Sequence, residues 1–216
     1  MKKIAIFTLS CFLLSFSLHA QISKGALFVG GNLGLYTSNT HNDAGDVRYD
    51  QSNIIVSPVI GKAVKENLVV GVGLNYSYMR YKQDQTAYPG AQVVNGYGAG
   101  VFVRKYKPIG KGFSVFLEGD LSGRYDKTNN SPQSNYNNFK RTSCFLGADP
   151  GLSYGISKKV QIETGFSQIV SISYSSEKGD KSSDLQPYKT NTFGIGTNLS
   201  NSFLNSIYIG FRLLLG

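Results

Sequence analysis

Residues 53–81, NIIVSPVIGKAVKENLVVGVGLNYSYMRY, decide the fold of this chain. Two runs of alternating residues flank a short charged turn at residues 62–67. In the second run every other residue is large and apolar or aromatic, namely Leu68, Val70, Val72, Leu74, Tyr76 and Tyr78, and the residues between them are Val69, Gly71, Gly73, Asn75 and Ser77. A period of two belongs to a β-strand and not to a helix, so the stretch predicts a β-hairpin.

The composition of the two faces indicates where this hairpin lies. In a soluble sheet the large apolar side chains pack inward and the outward face carries charge. Here the second face is small and weakly polar, while the apolar face ends in tyrosines. That combination is typical of a strand with lipid on one side, a tight interior on the other and aromatic side chains at the membrane interface.

Similar alternation recurs along the chain and sets the predicted architecture. Besides the hairpin, we predict strands at residues 25–36, 93–106, 113–125, 140–154 and 160–174, and a last one within 190–216 after a break near residues 201–202. Three short turns and four longer polar loops separate them. The predicted fold class is therefore all-β, an eight-stranded antiparallel transmembrane β-barrel with short periplasmic turns and four longer extracellular loops.

The first 20 residues predict a signal peptide. Lys2 and Lys3 precede an apolar run that is shorter than the ~20 residues of a spanning helix, and Leu18-His19-Ala20 resembles a cleavage site. The expected domains are thus a signal peptide, 1–20, and an outer-membrane barrel, 21–216. Cys144 is the only cysteine after the leader, which excludes an internal disulfide or a cysteine metal cluster.

The formal charge of +9 favours some partners over others. An exported chain would not ordinarily meet nucleic acid, so we expect no nucleic-acid partner. Anionic headgroups of outer-membrane lipid are the expected contact for the lysines, which lie mostly at turns and loop ends. The barrel-assembly machinery is expected to act during insertion, and the loops offer a site for an extracellular ligand.

The main candidate site is a set of charges predicted to face the interior: Arg104, Glu118, Asp120, Arg124, Glu163 and Arg212. The interior of an eight-stranded barrel is about wide enough to be filled by side chains, and buried charges there must be paired. We interpret the set as a structural plug of ion pairs and tyrosines. The alternative is a narrow, charge-gated pore. Glu118 and Asp120 as paired catalytic carboxylates are less favoured, because inward acids two residues apart are common in polar barrels.

A second candidate site is a catalytic or metal-binding group around His41, the only histidine after the leader. His41 lies near Asp43 and Asp46, with Ser38 and Thr40 beside it. A serine hydrolase needs such a base beside its nucleophile, but the spacing matches no metal-ligand rule and a loop gives little positioning. We therefore predict no catalytic, metal or cofactor-binding residues.

Glycines and aromatic residues complete the prediction. Gly71, Gly73, Gly96, Gly98 and Gly100 lie inside strands, so they are expected to make room for inward side chains such as Phe102 or Phe116 rather than to cradle a phosphate. The predicted outer girdle is Tyr36, Tyr78, Tyr81, Tyr125 and Tyr174, and the inner girdle is Tyr106, Phe113 and Tyr154. A weaker alternative use of tyrosines is a carbohydrate-binding platform in the loops, represented by Tyr49, Tyr88, Tyr136 and Tyr188.

Three segments resemble a known family. IIVSPVIGKAVKENLVVGVGLNYSY, PGLSYGISKKVQIETGF and SIYIGFRLLLG are similar to hairpins and the closing strand of small outer-membrane β-barrel domain proteins of the OmpA/OmpX/OmpW-like group. Our leading hypothesis is a non-enzymatic role in envelope integrity or in interactions through surface loops. The alternative is a narrow pore, or a conduit for small apolar solutes, which a continuous cavity or a lateral opening beside Pro58 would favour. A lipid-modifying barrel enzyme ranks third.

Overall fold

The computed structural model describes residues 22–42, 47–84, 90–130, 138–167, 169–180, 186–197 and 207–216. The predicted signal peptide and the predicted break near residues 201–202 lie outside these ranges. Ten strands follow one another: β1 (Leu27–Asn42), β2 (Val47–Lys65), β3 (Leu68–Asp84), β4 (Gly90–Gly110), β5 (Phe113–Asn130), β6 (Phe139–Gly155), β7 (Val160–Phe166), β8 (Val170–Gly179), β9 (Tyr188–Thr197) and β10 (Ile207–Leu215). In this part of the chain no helix is long and apolar enough to cross a membrane.

These strands form a closed antiparallel barrel with eight strand positions. β1 to β6 pair in chain order and fill six of them. β7 and β8 pair with successive parts of β6 and together fill the seventh, and β9 and β10 together fill the eighth. β9 pairs with β8, while β10 pairs with both β7 and β1 and closes the ring. The predicted all-β, eight-stranded barrel is confirmed.

The strands are longer than the sequence predicted. β2 has 19 residues and β4 has 21, whereas a tilted strand needs only about 9–11 to cross a bilayer. Residues predicted as polar loops, such as 37–42 and 126–130, instead continue the ladders. Their polarity removed the apolar alternation on which the prediction relied, but it does not prevent backbone pairing.

The barrel has two different ends. Short connections lie at one end, which we call the turn end, and include Glu66 and Asn67 between β2 and β3 and the positive-φ pair Lys111 and Gly112 between β4 and β5. The predicted turn at 62–67 is shorter in the structure because the β2 ladder runs to Lys65. At the opposite end, which we call the loop end, lie the facing ends of β1 and β2, of β3 and β4, of β5 and β6, and of β8 and β9.

Side chains alternate between the two faces as predicted. Along β4, for example, Phe102 and Arg104 are buried while Val101 and Val103 are about half exposed. Large apolar side chains cover the outer surface of the closed part; Leu33, Leu74, Leu117 and Ile209 are among those more than half exposed.

Three girdle residues are corrected. Tyr106 was predicted at the inner girdle but shares the inward face of β4 with Arg104 and is 1% exposed. Tyr36 and Tyr81 were predicted at the outer girdle but also fall on the inward faces of β1 and β3. The prediction used the distance of these tyrosines from the strand ends. The alternation of inward and outward side chains along the strand gives the correct face.

The sheet is not open beside Pro58. Pro58 pairs with Gly31 on β1, and the ladder toward β3 resumes on either side of residues 57 and 58. The side chains bridge that interruption, since Asn75 Nδ2 donates to Ser57 Oγ at 2.8 Å. A proline has no N–H to donate, which accounts for the local loss of pairing.

Candidate functional site

Four of the six predicted interior charges meet in the turn-end half of the barrel. Arg104 Nε donates to Glu118 Oε2 at 2.6 Å, and its Nη1 donates to Glu163 Oε2 at 2.5 Å. Tyr106 Oη donates to the other Glu163 oxygen at 2.6 Å. Arg104, Tyr106 and Glu163 are almost fully buried, so this network is held away from solvent.

Arg212 approaches the same carboxylate from the closing strand. Its Nε lies 3.0 Å from Glu163 Oε2, an ion pair by distance although the N–H does not point at the oxygen. The guanidinium also donates to the Gly31 carbonyl and to Asn32 Oδ1, each at 2.8 Å. Two arginines and two glutamates thus balance their charges inside the barrel.

Aromatic rings surround the Arg104 guanidinium. Its Cζ lies 4.5 Å from the ring centroid of Phe116, 5.4 Å from Phe28 and 5.8 Å from Phe102. Ring faces attract a cation, most strongly where water is excluded. We call this assembly the plug: Phe28, Phe102, Arg104, Tyr106, Phe116, Glu118, Glu163 and Arg212.

Interior glycines give the plug its space. A Cβ on Gly71 would lie 2.5 Å from the Phe102 ring, and one on Gly151 would lie 2.2 Å from the Phe116 ring. The predicted role of Gly71 therefore matches the structure. Gly151 has the same role but was not singled out from the sequence.

The first described residues seal the turn end beneath the plug. The Ile22 side chain is 1% exposed and packs in one cluster with plug residues and Val69. Its backbone is fixed by Asn67, whose Oδ1 accepts from Ile22 N at 2.9 Å and whose N–H donates back to the Ile22 carbonyl at 3.0 Å. The turn-end half is therefore filled with side chains.

The loop-end half holds a cavity of about 620 Å³, which we call the outer cavity. Arg124 crosses one wall, with Nε 2.7 Å from Asp126 Oδ1 and Nη2 2.6 Å from Ser77 Oγ. Asp120 lies nearer the plug and accepts only from Ser122 at 3.2 Å; its Oδ1 is buried with no hydrogen-bond donor among the described residues. The six predicted charges thus divide, with Arg104, Glu118, Glu163 and Arg212 in the plug and Asp120 and Arg124 lining the outer cavity.

Several inward polar residues were not singled out from the sequence, including Tyr106, Asp126, Arg141 and Asp149. Asp126 continues the inward alternation of β5 past Arg124, where the sequence prediction had ended the strand. Arg141 and Asp149 follow the inward alternation of β6 and also line the outer cavity. In each case the alternation of inward and outward positions along the strand indicates that the side chain faces inward.

Hydrogen bonds between side chains connect β6, β8 and β9 at the rim of the loop end, farther from the turn end than the outward Tyr174. Arg141 donates from Nε and Nη2 to Glu177 Oε2, and Tyr188 Oη donates to Glu177 Oε1 at 2.6 Å. Burial by itself would raise the pKa of the Glu177 carboxyl, but the hydrogen bonds from Tyr188 and Arg141 outweigh it and hold that pKa below its ordinary value. The hydrogen bond to Glu177 in turn raises the pKa of Tyr188.

The candidate catalytic sets do not assemble among the described residues. Ser38 and Thr40 face inward on β1, whereas His41 occupies the opposite parity, so the histidine and these hydroxyls lie on different faces of the strand. Asp43 and Asp46 lie outside the described ranges. Within those ranges no three His, Cys, Asp or Glu side chains cluster as metal ligands would.

Among the described residues a lateral seam without backbone pairing lies between β9 and the upper part of β1. The β1–β10 ladder ends at Leu33 and Ile209; beyond it the described residues of β1 pair only with β2, and β9 pairs only with β8. Tyr36 is 42% exposed although it is on the inward face, as expected beside an opening. The outer cavity reaches this place, since Leu33, Gly34, Ile207 and Tyr208 are part of its lining.

Comparison with known proteins adds no assignment. No protein-family model matches the chain, and no curated protein is similar enough to it to count as a relative.

Proposed function

We propose that this chain is a non-conducting outer-membrane barrel that works through its loop end, in envelope integrity or in binding at the cell surface. The plug is the observation that carries the proposal. It fills the turn-end half with rings and charge pairs, and Ile22 seals it from below. A solute that enters the outer cavity would meet this barrier before it reached the turn end.

The outer surface supports the membrane location. An unbroken row of exposed apolar side chains on β10, Ile207, Ile209, Phe211, Leu213 and Leu215, is one part of an apolar band around the closed barrel. A band of that kind is stable against lipid tails and would promote aggregation in water. Outer-membrane lipid, insertion by the barrel-assembly machinery and kinship with the OmpA/OmpX/OmpW-like group belong to the same proposal.

Conductance in a planar bilayer tests the plug. We expect silence from the refolded wild type and small openings from the Tyr106→Ala/Phe116→Ala double variant, which removes two large rings and leaves every charge in place. Single-channel recording at fixed protein density is the measurement. Arg124→Ala is the matched control, because Arg124 lines the outer cavity above the plug, and it should stay silent.

Steady conductance from the wild type would overturn the proposal. Silence from a correctly folded double variant would instead show that these two rings are not what blocks the barrel.

The seam favours a second candidate function, a conduit for small apolar solutes. Because the plug blocks the axial route, such a solute would have to leave the outer cavity sideways into the bilayer. Glycines line the inner side of the seam: Gly34 on β1 and Gly194 and Gly196 on β9. At these three positions no side chain projects from the inner face of the wall.

Narrowing the seam tests the conduit. A Cβ on Gly196 would meet nothing within 4 Å, and one on Gly34 would only touch Ile55 at 3.5 Å, so both positions have space for the first carbon of a side chain, from which a phenylalanine ring would project at the inner face of the seam. If the conduit exists, Gly34→Phe and Gly196→Phe should slow entry of a small apolar fluorophore into proteoliposomes with a lipopolysaccharide outer leaflet by about tenfold, the factor that corresponds to ~1.4 kcal/mol. Leu33→Phe, on the outward face, is the control, and equal rates for all variants would rule the conduit out.

A further inference from the structure

A second, smaller cleft lies at the loop end, on the inward faces of three neighbouring strands. It has a volume of about 270 Å³ and is lined by Ser38 and Thr40 of β1, Tyr49 and Gln51 of β2, and Tyr81 of β3. The ladders place these residues side by side, since Ser38 pairs with Gln51, Thr40 with Tyr49, and Gln51 with Tyr81. They form one continuous patch in the extended part of the strands.

Two tyrosine rings form the aromatic part of this cleft. The ring centroids of Tyr49 and Tyr81 are 6.0 Å apart with an angle of 33° between the ring planes. The two rings therefore contact each other in a tilted arrangement. Both residues are only partly buried, which leaves ring surface for a ligand. Tyr49 was a candidate carbohydrate contact in the sequence, whereas Tyr81 had been assigned to the membrane interface.

The polar part of the cleft is neutral. Hydroxyls of Ser38 and Thr40 and the Gln51 amide offer both donors and acceptors, and no charged side chain is among the lining residues. Gln51 Nε2 also lies 3.5 Å from Met79 Sδ, a weak contact that leaves its amide oxygen for other partners. A phosphate or a carboxylate would find no cation among the described lining residues, and a hydrocarbon chain would leave these hydroxyls and the amide without partners.

A sugar ring matches this combination. Its C–H faces pack against aromatic rings, and its hydroxyl groups both donate and accept hydrogen bonds at the ring edge. We infer that the cleft binds one neutral sugar ring of a glycan, with the ring face on Tyr49 and Tyr81 and the hydroxyls toward Ser38, Thr40 and Gln51. This inference rests on the proposed function in that the loop end must face outward, but it does not depend on whether the barrel conducts.

The test uses the refolded full barrel in a zwitterionic detergent, because maltoside and glucoside detergents carry sugar headgroups that would compete. The probes are neutral tri- and tetrasaccharides of hexoses and N-acetylhexosamines, presented on an array and then titrated with saturation-transfer NMR as the readout. We expect wild type to bind at least one of them, and Tyr49→Ala and Tyr81→Ala each to weaken that binding about tenfold or more.

A second tyrosine pair supplies the control. The rings of Tyr76 and Tyr97 are 5.4 Å apart but face outward from the barrel, so Tyr97→Ala should leave saccharide binding unchanged. Heat-shifted migration on gels verifies that each variant is folded.

Binding of no neutral saccharide by the wild type would overturn the inference, as would unchanged binding by a folded Tyr49→Ala/Tyr81→Ala double variant. Either result would leave the conductance experiment, and with it the proposed function, unaffected.

Discussion

Glu163→Gln should lower the free energy of unfolding by about 3–5 kcal/mol, the range observed when one partner of a buried ion pair is removed. Glu163 accepts hydrogen bonds from Arg104 and Tyr106 and forms an ion pair with Arg212, and its side chain has no exposed surface. Glutamine keeps the shape and one acceptor oxygen but removes the negative charge. Two arginines would then face one glutamate, Glu118, and one buried positive charge would be left unbalanced.

Urea titration of the refolded protein in detergent micelles, followed by tyrosine fluorescence and by gel migration, measures the loss. Glu177→Gln is the matched control, because Glu177 also accepts from an arginine and a tyrosine but sits at the rim. A partly exposed pair of this kind contributes about 0–1 kcal/mol. Similar losses from the two variants would show that burial does not give Glu163 its importance.

A second substitution separates charge balance from lost hydrogen bonds. In the Glu163→Gln/Arg212→Met double variant the plug is again neutral, with Arg104 facing Glu118. We expect the double variant to be more stable than the sum of the two single losses implies, with a coupling energy of about 0.5–3 kcal/mol. Additive losses would mean that Glu163 and Arg212 do not share one charge-balanced unit.

The sequence predicts which face of a strand a residue occupies, but not the depth at which it lies. Alternation placed Arg104, Glu118 and Glu163 inside, and the short turn after β4 brings Arg104 opposite Glu118. The contact between Arg104 and Glu163 crosses from β4 to β7, which are not neighbours. It depends on the stagger of all the intervening strands, and no local pattern encodes that stagger. For the same reason the sequence could not show that Arg124 lies above the plug.

The sequence did not predict the ends of the strands or the seam, for a different reason. Above an apolar band both faces of a strand can be polar, so alternation fades while hydrogen bonding continues, as in residues 126–130 of β5. The seam results from a pairing that is missing between β9 and the upper part of β1 in the described chain. A missing partner leaves no pattern in either strand. In the sequence, the only feature that indicates an interrupted last strand is the unusual length of the segment from residue 190 to 216.

The interior glycines make a final prediction that isolates packing from charge. Gly151→Val should destabilise the barrel by about 1–3 kcal/mol or more, because a Cβ there would lie 2.2 Å from Phe116 Cζ and 2.7 Å from the Thr164 carbonyl oxygen. The Phe116 ring could move away only by giving up its contacts with Arg104 and Tyr106. Unfolding in urea under the same micelle conditions measures the effect.

Gly119→Val is the control that the barrel itself provides. Gly119 lies on the outward face of β5, and a Cβ there would have its nearest contact at 4.0 Å, so valine should be neutral or slightly stabilising because it adds β-propensity and apolar surface toward the micelle. Truncating the opposing ring should recover part of the Gly151→Val loss, so Gly151→Val/Phe116→Leu should be more stable than Gly151→Val alone. A folded and unperturbed Gly151→Val variant would mean that the plug is looser than its contacts indicate. The case for a non-conducting barrel would then lose its main support, because a plug that admits an extra isopropyl group has room for water.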